Sequence, residues 1–394
     1  MHCPHYAAER CTSCTLMGVP YPAQVARKDA DARARLALPH DVWDEPWPSP
    51  ESGFRNKAKF VVGGRRGALT LGILDAERRG VDIRDCGLLE PALAAVMDPL
   101  LAAMNELGLV PYDVPTRRGE AKYVIATASP AGRAMVRFVL RSDQHLPALR
   151  AARDDLLDGI PGLDVLTVNV HPEHKAVVEG DTEIVLSERT SLAIGVNDVT
   201  LHLAPRSFFQ TNTHVAAALY RQAQEWAGEH PGRSRWTSGW DLYCGIGGFA
   251  LHLAAQVPRM TGIELSADAV AGARRSAGEI AGREPARPVP RFVADDATEY
   301  ALRRPAPDLV VVNPPRRGLD EDLCRWLNDS GVGEVIYSSC NVATLARDLA
   351  RMPWLSVTRA RLFDMFPQSG HYEVMVHLRR EVRPSPGRRR RRRH

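Results

Sequence analysis

The chain has 394 residues, 44% hydrophobic and 25% charged, with a formal net charge of +4. That balance belongs to a soluble globular protein of two or three domains. No apolar run approaches the about 18 residues of a membrane span, and no signal-peptide core precedes residue 20. Seven cysteines in no disulfide-framework spacing point to a reducing, cytoplasmic setting. The positive charge sits at one end: residues 379–394 hold nine arginines against Glu381, which leaves the body at −4. A basic groove must therefore be local.

In chain order, Cys3, Cys11 and Cys14 come first, and Cys86 follows in Arg84-Asp85-Cys86-Gly87. Three close thiols and one distant thiol make a four-ligand metal pattern, suited to zinc or an iron–sulfur cluster. Free surface thiols are the competing reading. Residues 20–38 have helical spacing, and Pro46, Pro48 and Pro50 make a stiff linker. Gly53 to Val62 alternates, which predicts a strand with Arg55, Lys57 and Lys59 on one face and Ala58 and Phe60 on the other. Those cations either grip phosphates or form a solvated face. Further strands are predicted over 69–75, 121–127, 133–141, 165–171, 174–179 and 182–186, with helices over 91–107 and 143–158. The order is not a strict alternation, so an α+β module with an antiparallel sheet is expected.

The texture changes at Arg206-Ser207-Phe208-Phe209-Gln210-Thr211-Asn212. A helix over 213–228 is followed by strand–helix alternation. Its strands fall at 237–242, 259–264, 290–294, 308–312, 333–338, 354–362 and 372–378. This predicts a doubly wound α/β domain. Its first strand runs into the glycine-rich loop Asp241 to Phe249, and its second ends in Gly262-Ile263-Glu264. An acid at that strand tip suits the ribose hydroxyls of a nucleoside cofactor. The glycine spacing lacks G-x-G-x-x-G, which favours S-adenosylmethionine over NAD. Asp295 and Asp296 end the third strand, and Asp296 is the preferred inward acid. Asn313-Pro314-Pro315-Arg316 ends the fourth, with a cation where amino-group methyltransferases carry a stacking ring.

Val335-Ile336-Tyr337 then leads through Ser338 and Ser339 to Cys340, with helical spacing from Val342 to Met352. Cys340 thus lies at the carboxyl edge of a sheet, where the following helix is expected to lower its pKa. Glu373 opens the last strand on the same rim. A thiol and a carboxylate there suit addition of a thiolate followed by removal of a proton. A buried structural cysteine and a plain surface acid are the bland alternatives.

Phe208 to Asn212, Asp241 to Phe249, Gly262 to Glu264, Asn313 to Gly318, Ser338 to Asn341 and His371 to Val374 together resemble the RNA uracil-C5 methyltransferases. The resemblance covers about residues 1–380. The four cysteines, a start without a TRAM-type barrel, and Gly53 to Lys59 resemble the branch acting on 23S rRNA. It implies an α/β fold with a Rossmann-like S-adenosylmethionine-dependent methyltransferase domain over 206–380. It also implies an iron–sulfur segment leading into the central domain over 1–90 and an α+β central RNA-binding domain over 91–205; the tail over 381–394 lies outside the resemblance, and its Pro, Gly and Arg content predicts disorder. Cys3, Cys11, Cys14 and Cys86 would hold a 4Fe–4S cluster. Gln210, Tyr243, Glu264 and Asn313 would contact S-adenosylmethionine, beside Gly245 and Asp296 of the loops read above. Cys340 would be the nucleophile and Glu373 the base. The implied activity is C5-methylation of a specific uridine in 23S rRNA, or its precursor, through a covalent Cys–C6 adduct. The enzyme would act as a cytoplasmic monomer with no membrane. The rivals are a tRNA uracil-C5 methyltransferase and a non-catalytic metal-containing RNA-binding protein.

Overall fold

The computed structural model describes residues 1–174, 178–229 and 236–381. Seven strands form a first sheet: β1 (Lys57–Arg65), β2 (Ala68–Leu74), β3 (Gly80–Asp82), β4 (Ala121–Ala128), β5 (Ala134–Leu140), β6 (Leu163–Val170) and β7 (Thr182–Val185). Their order is β3-β2-β1-β4-β5-β6-β7, antiparallel except for β5 with β6. The strands come from both sides of residue 90, because Lys57 to Val61 of β1 pair along β4. Ala58, Phe60 and Val62 point into a core covered by the helices Pro91–Glu106 and Arg153–Gly159. Lys57 and Lys59 stand on the opposite face, as the alternation predicts. Arg55 leaves that row: it precedes the strand, and its Nε donates to the Lys57 carbonyl at 2.9 Å. The helix expected over 143–158 is broken at Ala152 into Leu146–Ala151 and Arg153–Gly159. Residues 171–174 and 178–181 are not strand, and the rest of the strand expected over 174–179 lies outside the described residues.

The hairpin β8 (Leu192–Val196) and β9 (Val199–Leu203) has no counterpart in the sequence reading. Its apolar residues join the core beneath the second sheet, together with the helix Thr213–Gly228. That sheet comprises β10 (Ser238–Leu242), β11 (Arg259–Glu264), β12 (Arg291–Ala294), β13 (Leu309–Val312), β14 (Glu334–Ser339), β15 (Leu355–Phe363) and β16 (Glu373–Arg380). The order is β12-β11-β10-β13-β14-β16-β15. The first five are parallel, with helices as crossovers; β16 runs antiparallel to both β14 and β15. The alternation ends there because the link from β15 to β16 is too short for a parallel crossover. The arginine-rich run expected to be disordered lies, from residue 382 onward, outside the described residues.

The amino-terminal segment is built onto that last link. Lys28, from the helix Tyr21–Leu36, donates to Asp364 Oδ1 at 2.6 Å and to the Phe366 carbonyl at 3.0 Å, with both charged side chains buried. Gln24 bonds Gln368 at 2.9 Å, and the Leu16 amide donates to the Gln368 carbonyl at 3.0 Å. Gln368 takes φ +65°, a left-handed conformation that these bonds hold in place. Among the described residues, no helix is long and apolar enough to cross a membrane.

Candidate active site

The parallel strands end at one edge, and a cavity of about 590 Å³ opens there, within the range of small-ligand sites. Gln210, Tyr243, Gly245, Glu264, Asp296 and Asn313 all line it, and so do Cys340 and Glu373. The glycine loop reaches the cavity through two left-handed residues, Tyr243 at φ +63° and Gly245 at φ +53°. Such a conformation is strained for tyrosine and marks a position held for a purpose. Glu264 accepts from the Gly245 amide at 3.1 Å and from the Ser266 amide at 2.9 Å, which fixes its carboxylate over the loop. Asp241 lies fully buried beneath, accepting from the Ala250 amide at 2.9 Å. Burial raises its pKa to about 8.

The two neighbouring aspartates divide their roles. Asp295 turns to Arg303 at 3.0 Å. Asp296 lines the cavity and caps the helix Ala297–Leu302 through the Thr298 and Glu299 amides. A narrow loop floor, an anchored acid at the second strand tip and another acid at the third fit a nucleoside-bearing cofactor such as S-adenosylmethionine.

Cys340 and Glu373 meet through sheet register. Ser338 faces Met375 and Ser339 faces Val374 on antiparallel strands. One further step sets Cys340 opposite Glu373, and facing residues of such a pair share one side of the sheet. Ser338, two residues back on the same side, donates its hydroxyl to Glu373 Oε1 at 2.6 Å. Glu373 is 1% exposed. Burial raises its pKa to about 7, against the lowering effect of the Ser338 bond. That value suits a general base at neutral pH.

The thiol departs from expectation. Its pKa is raised, chiefly by burial and then by the Glu373 charge, while Arg316 lowers it. Cys340 sits two residues before the helix Val342–Ala350, and the Asn341 side chain between them caps the Ala343 amide at 3.2 Å. The helix start is thus satisfied by its own cap, and the cation that favours the thiolate comes from the Asn313–Gly318 loop.

That loop is tied down from behind. Asn341 Nδ2 donates to the Arg316 carbonyl at 3.1 Å, and buried Asp348 accepts from the Leu319 amide and the Tyr337 hydroxyl at 2.8 Å each. Gly318 stands at φ +77°, and a Cβ there would lie 2.4 Å from Asp348, so only glycine lets the loop close against the helix.

The four amino-terminal thiols behave differently from the metal expectation. None forms a disulfide. Cys14 is raised to about 11, by burial first and then by Cys86, Cys11 and Cys3, so the four are electrostatic neighbours. Arg55 acts on both Cys14 and Cys86 in the opposite sense. Yet among the described residues no group of three or more His, Cys, Asp or Glu side chains is placed to hold a metal ion, so Cys3, Cys11, Cys14 and Cys86 are near one another without forming a coordinating set.

Three contributors escape the sequence reading. Ser338 was legible only as part of a motif, and its bond to Glu373 depends on strand register. Phe366 lines the cavity from the link before β16, and Leu265, 73% exposed, lines it beside Glu264. Neither carries a local signal.

The fold and cavity define an α/β S-adenosylmethionine-dependent methyltransferase fold. The described chain is similar over 93% of its length, at 24% identity and TM-score 0.76, to the solved structure of the Pyrococcus abyssi tRNA (uracil-54, C5)-methyltransferase in complex with S-adenosyl-L-homocysteine, 85% of which is covered. A family profile described as tRNA (Uracil-5-)-methyltransferase matches residues 287–381. Curated relatives are closer in sequence. The 23S rRNA (uracil(747)-C(5))-methyltransferase RlmC of Pectobacterium carotovorum is 44% identical over 97% of this chain and 100% of its own length. That of Escherichia coli K12 is 43% identical over 96% of this chain and 99% of its own. The chain belongs to the RlmC family of RNA uracil-C5 methyltransferases.

Proposed function

We propose that this protein transfers a methyl group to C5 of a uridine in 23S rRNA, with Cys340 as nucleophile and Glu373 as base. The observation that carries the reading is a half-buried thiol just past the end of β14 and a buried carboxylate at the start of the facing β16, in the cavity that also receives the cofactor-type strand tips. When bound, S-adenosylmethionine supplies an electrophilic methyl group on a sulfonium sulfur. Gln210, Tyr243, Gly245, Glu264, Asp296 and Asn313 are the residues that would hold it.

Uracil C5 is a poor nucleophile. Addition of the Cys340 thiolate to C6 forms a carbon–sulfur bond and moves an electron pair toward C5 and O4. C5 then takes the methyl group. Glu373 removes the C5 proton, the C6–sulfur bond breaks, and the thiolate is restored. Arg316, which lowers the Cys340 pKa and lines the same cavity, would favour the thiolate, and Arg316 or Arg317 would donate to the enolate oxygen. The target base must be unpaired or flipped to enter the cavity. The protein would act in the cytoplasm, as a monomer, on 23S rRNA or its precursor.

We infer as well that Cys3, Cys11, Cys14 and Cys86, which form no coordinating set among the described residues, would draw together around a 4Fe–4S cluster. The support is the donor chemistry of four free thiols and their mutual electrostatic reach. Such a cluster would supply binding energy that holds the amino-terminal segment folded. The central RNA-binding role of the first sheet is likewise part of this proposal.

Transfer of tritium from labelled cofactor to 23S rRNA, with tRNA as the parallel substrate, tests the function. Label in 23S rRNA alone is the expected result. Label in tRNA alone would move the target to tRNA, and label in neither would favour a non-catalytic RNA-binding role.

A further inference from the structure

A second cavity, of about 400 Å³, lies beside Val61 and Tyr123, on the face of the first sheet turned away from the core of Ala58, Phe60 and Val62. Val61, Leu74, Tyr112, Lys122, Tyr123 and His174 are among the residues that line it. The methylation chemistry uses none of them.

Its position follows from strand register. Val61 of β1 faces Tyr123 of β4, Lys59 faces Ile125, and Lys57 faces Thr127. Facing residues share a side of the sheet, and this side is opposite the one packed by Ala58, Phe60 and Val62. The row therefore runs Lys57, Lys59, Val61 along β1, with Tyr123 at the far end. Asn56, the residue before β1, ties the start of the strand to the second domain: its Nδ2 donates to the Gln210 carbonyl at 2.9 Å and to Thr213 Oγ1 at 2.7 Å. Gln210 lines the methylation cavity. Five residues of extended chain, at about 3.4 Å each, separate Asn56 from the Tyr123 ring. A few nucleotides of single strand span such a gap.

The chemistry of the second cavity is that of a nucleobase site. Lys59 Nζ stands 5.8 Å from the centre of the Tyr123 ring, so cation and ring occupy one place. The Tyr112 hydroxyl and His174 Nδ1 are hydrogen-bonded at 2.9 Å, a polar edge beside two aromatic rings. Lys122, 6% exposed, donates to the His171 and Glu173 carbonyls at 2.7 and 2.6 Å and lies 5.0 Å from the Tyr112 ring centre. It fixes that wall. Rings for stacking, joined to cations for the backbone, are how proteins hold unpaired bases.

We propose that this cavity holds an unpaired base of the substrate RNA a few nucleotides from the methylated uridine, stacked on Tyr123, while Lys59 contacts the intervening phosphate. The inference rests on the RNA-methylating function proposed above. It adds an anchoring site outside the methylation cavity, and so a source of target selection.

The test uses full-length enzyme, a 23S rRNA fragment containing the target, and the variants Tyr123→Ala and Lys59→Ala. Tyr123→Ala should raise KM for the fragment about 10-fold, with kcat and cofactor binding unchanged. Lys59→Ala should lower the slope of log affinity against log salt by about 0.7. Site-directed photocross-linking from a benzoylphenylalanine at 123 should label one nucleotide near, and distinct from, the methylated uridine. Unchanged KM in Tyr123→Ala, or cross-links scattered along the fragment, would overturn the anchoring site. A wild type that methylates no RNA would instead overturn the parent function, so the two failures are separable.

Discussion

Ser338 donates its hydroxyl to Glu373 Oε1 at 2.6 Å from two residues before Cys340, so the strand that presents the thiol also holds the base. Glu373, raised to about 7 by burial, changes charge within the working range of the enzyme. The kcat/KM profile for RNA should therefore rise as pH increases through about 7. Ser338→Ala removes the bond that holds the value down and should move that limb up by about one unit. A limb that stays in place would show that another group sets it.

The same shift bears on stability. The folded value of Glu373 lies above its unfolded value of about 4.3. Folding thus favours the neutral acid, and stability falls as pH rises from about 4.3 through 7. Glu373→Gln should be more stable than wild type at pH 8, by on the order of 3 kcal/mol, and no more stable at pH 4. Urea unfolding at the two pH values measures this.

Arg316 is the cation that opposes burial and Glu373 at the Cys340 thiol. Arg316→Ala should slow alkylation of Cys340 by iodoacetamide at pH 7.5 about 10-fold, and Arg316→Lys should recover most of the loss. Equal rates in all three proteins would remove Arg316 from thiol activation.

The buried pair Lys28–Asp364 carries the link that bears Phe366. Lys28→Met leaves a buried carboxylate without its partner and should cost about 3–5 kcal/mol. The double variant Lys28→Met/Asp364→Leu should regain most of that loss. Thermal unfolding of the three proteins is the measurement.

Much of the site was legible because its residues lie at strand tips, and a strand tip is a local pattern. Glu264 and Asn313 end apolar runs, Cys340 follows one across two serines, and alternation alone put Lys57 and Lys59 opposite Ala58 and Phe60. Long-range partners were not legible. The pairing of Ser338 with Glu373 depends on an antiparallel register that no stretch of either strand encodes. The acidity of Cys340 was misread for a related reason: the helix start nearby is a local feature, whereas the burial that chiefly raises the thiol, and the Glu373 charge that adds to it, come from the packing of distant segments. The β8–β9 hairpin was missed because its short strands are recognisable only by the core they complete.

The cysteine segment is tested by colour. Protein purified without oxygen should be brown, with broad absorbance near ~400 nm, as thiolate-bound iron–sulfur centres are. Cys86→Ser should lose the colour and loosen the amino-terminal segment, seen as faster proteolysis before residue 50. A colourless protein with stoichiometric zinc would contradict the cluster.

The central claim is that Cys340 and Glu373 act in sequence on one uracil ring. It is tested most directly by trapping RNA on the Glu373→Gln enzyme. With the base removed, addition and methyl transfer proceed while elimination slows by a factor on the order of 10²–10⁴. The protein should accumulate joined to methylated 23S rRNA through a thioether that survives a denaturing gel, with mass spectrometry placing the bond on Cys340. Cys340→Ala should form no adduct and turn over nothing, yet still bind cofactor. An active Cys340→Ala enzyme, or an adduct on Cys244 or Cys324, would contradict the account.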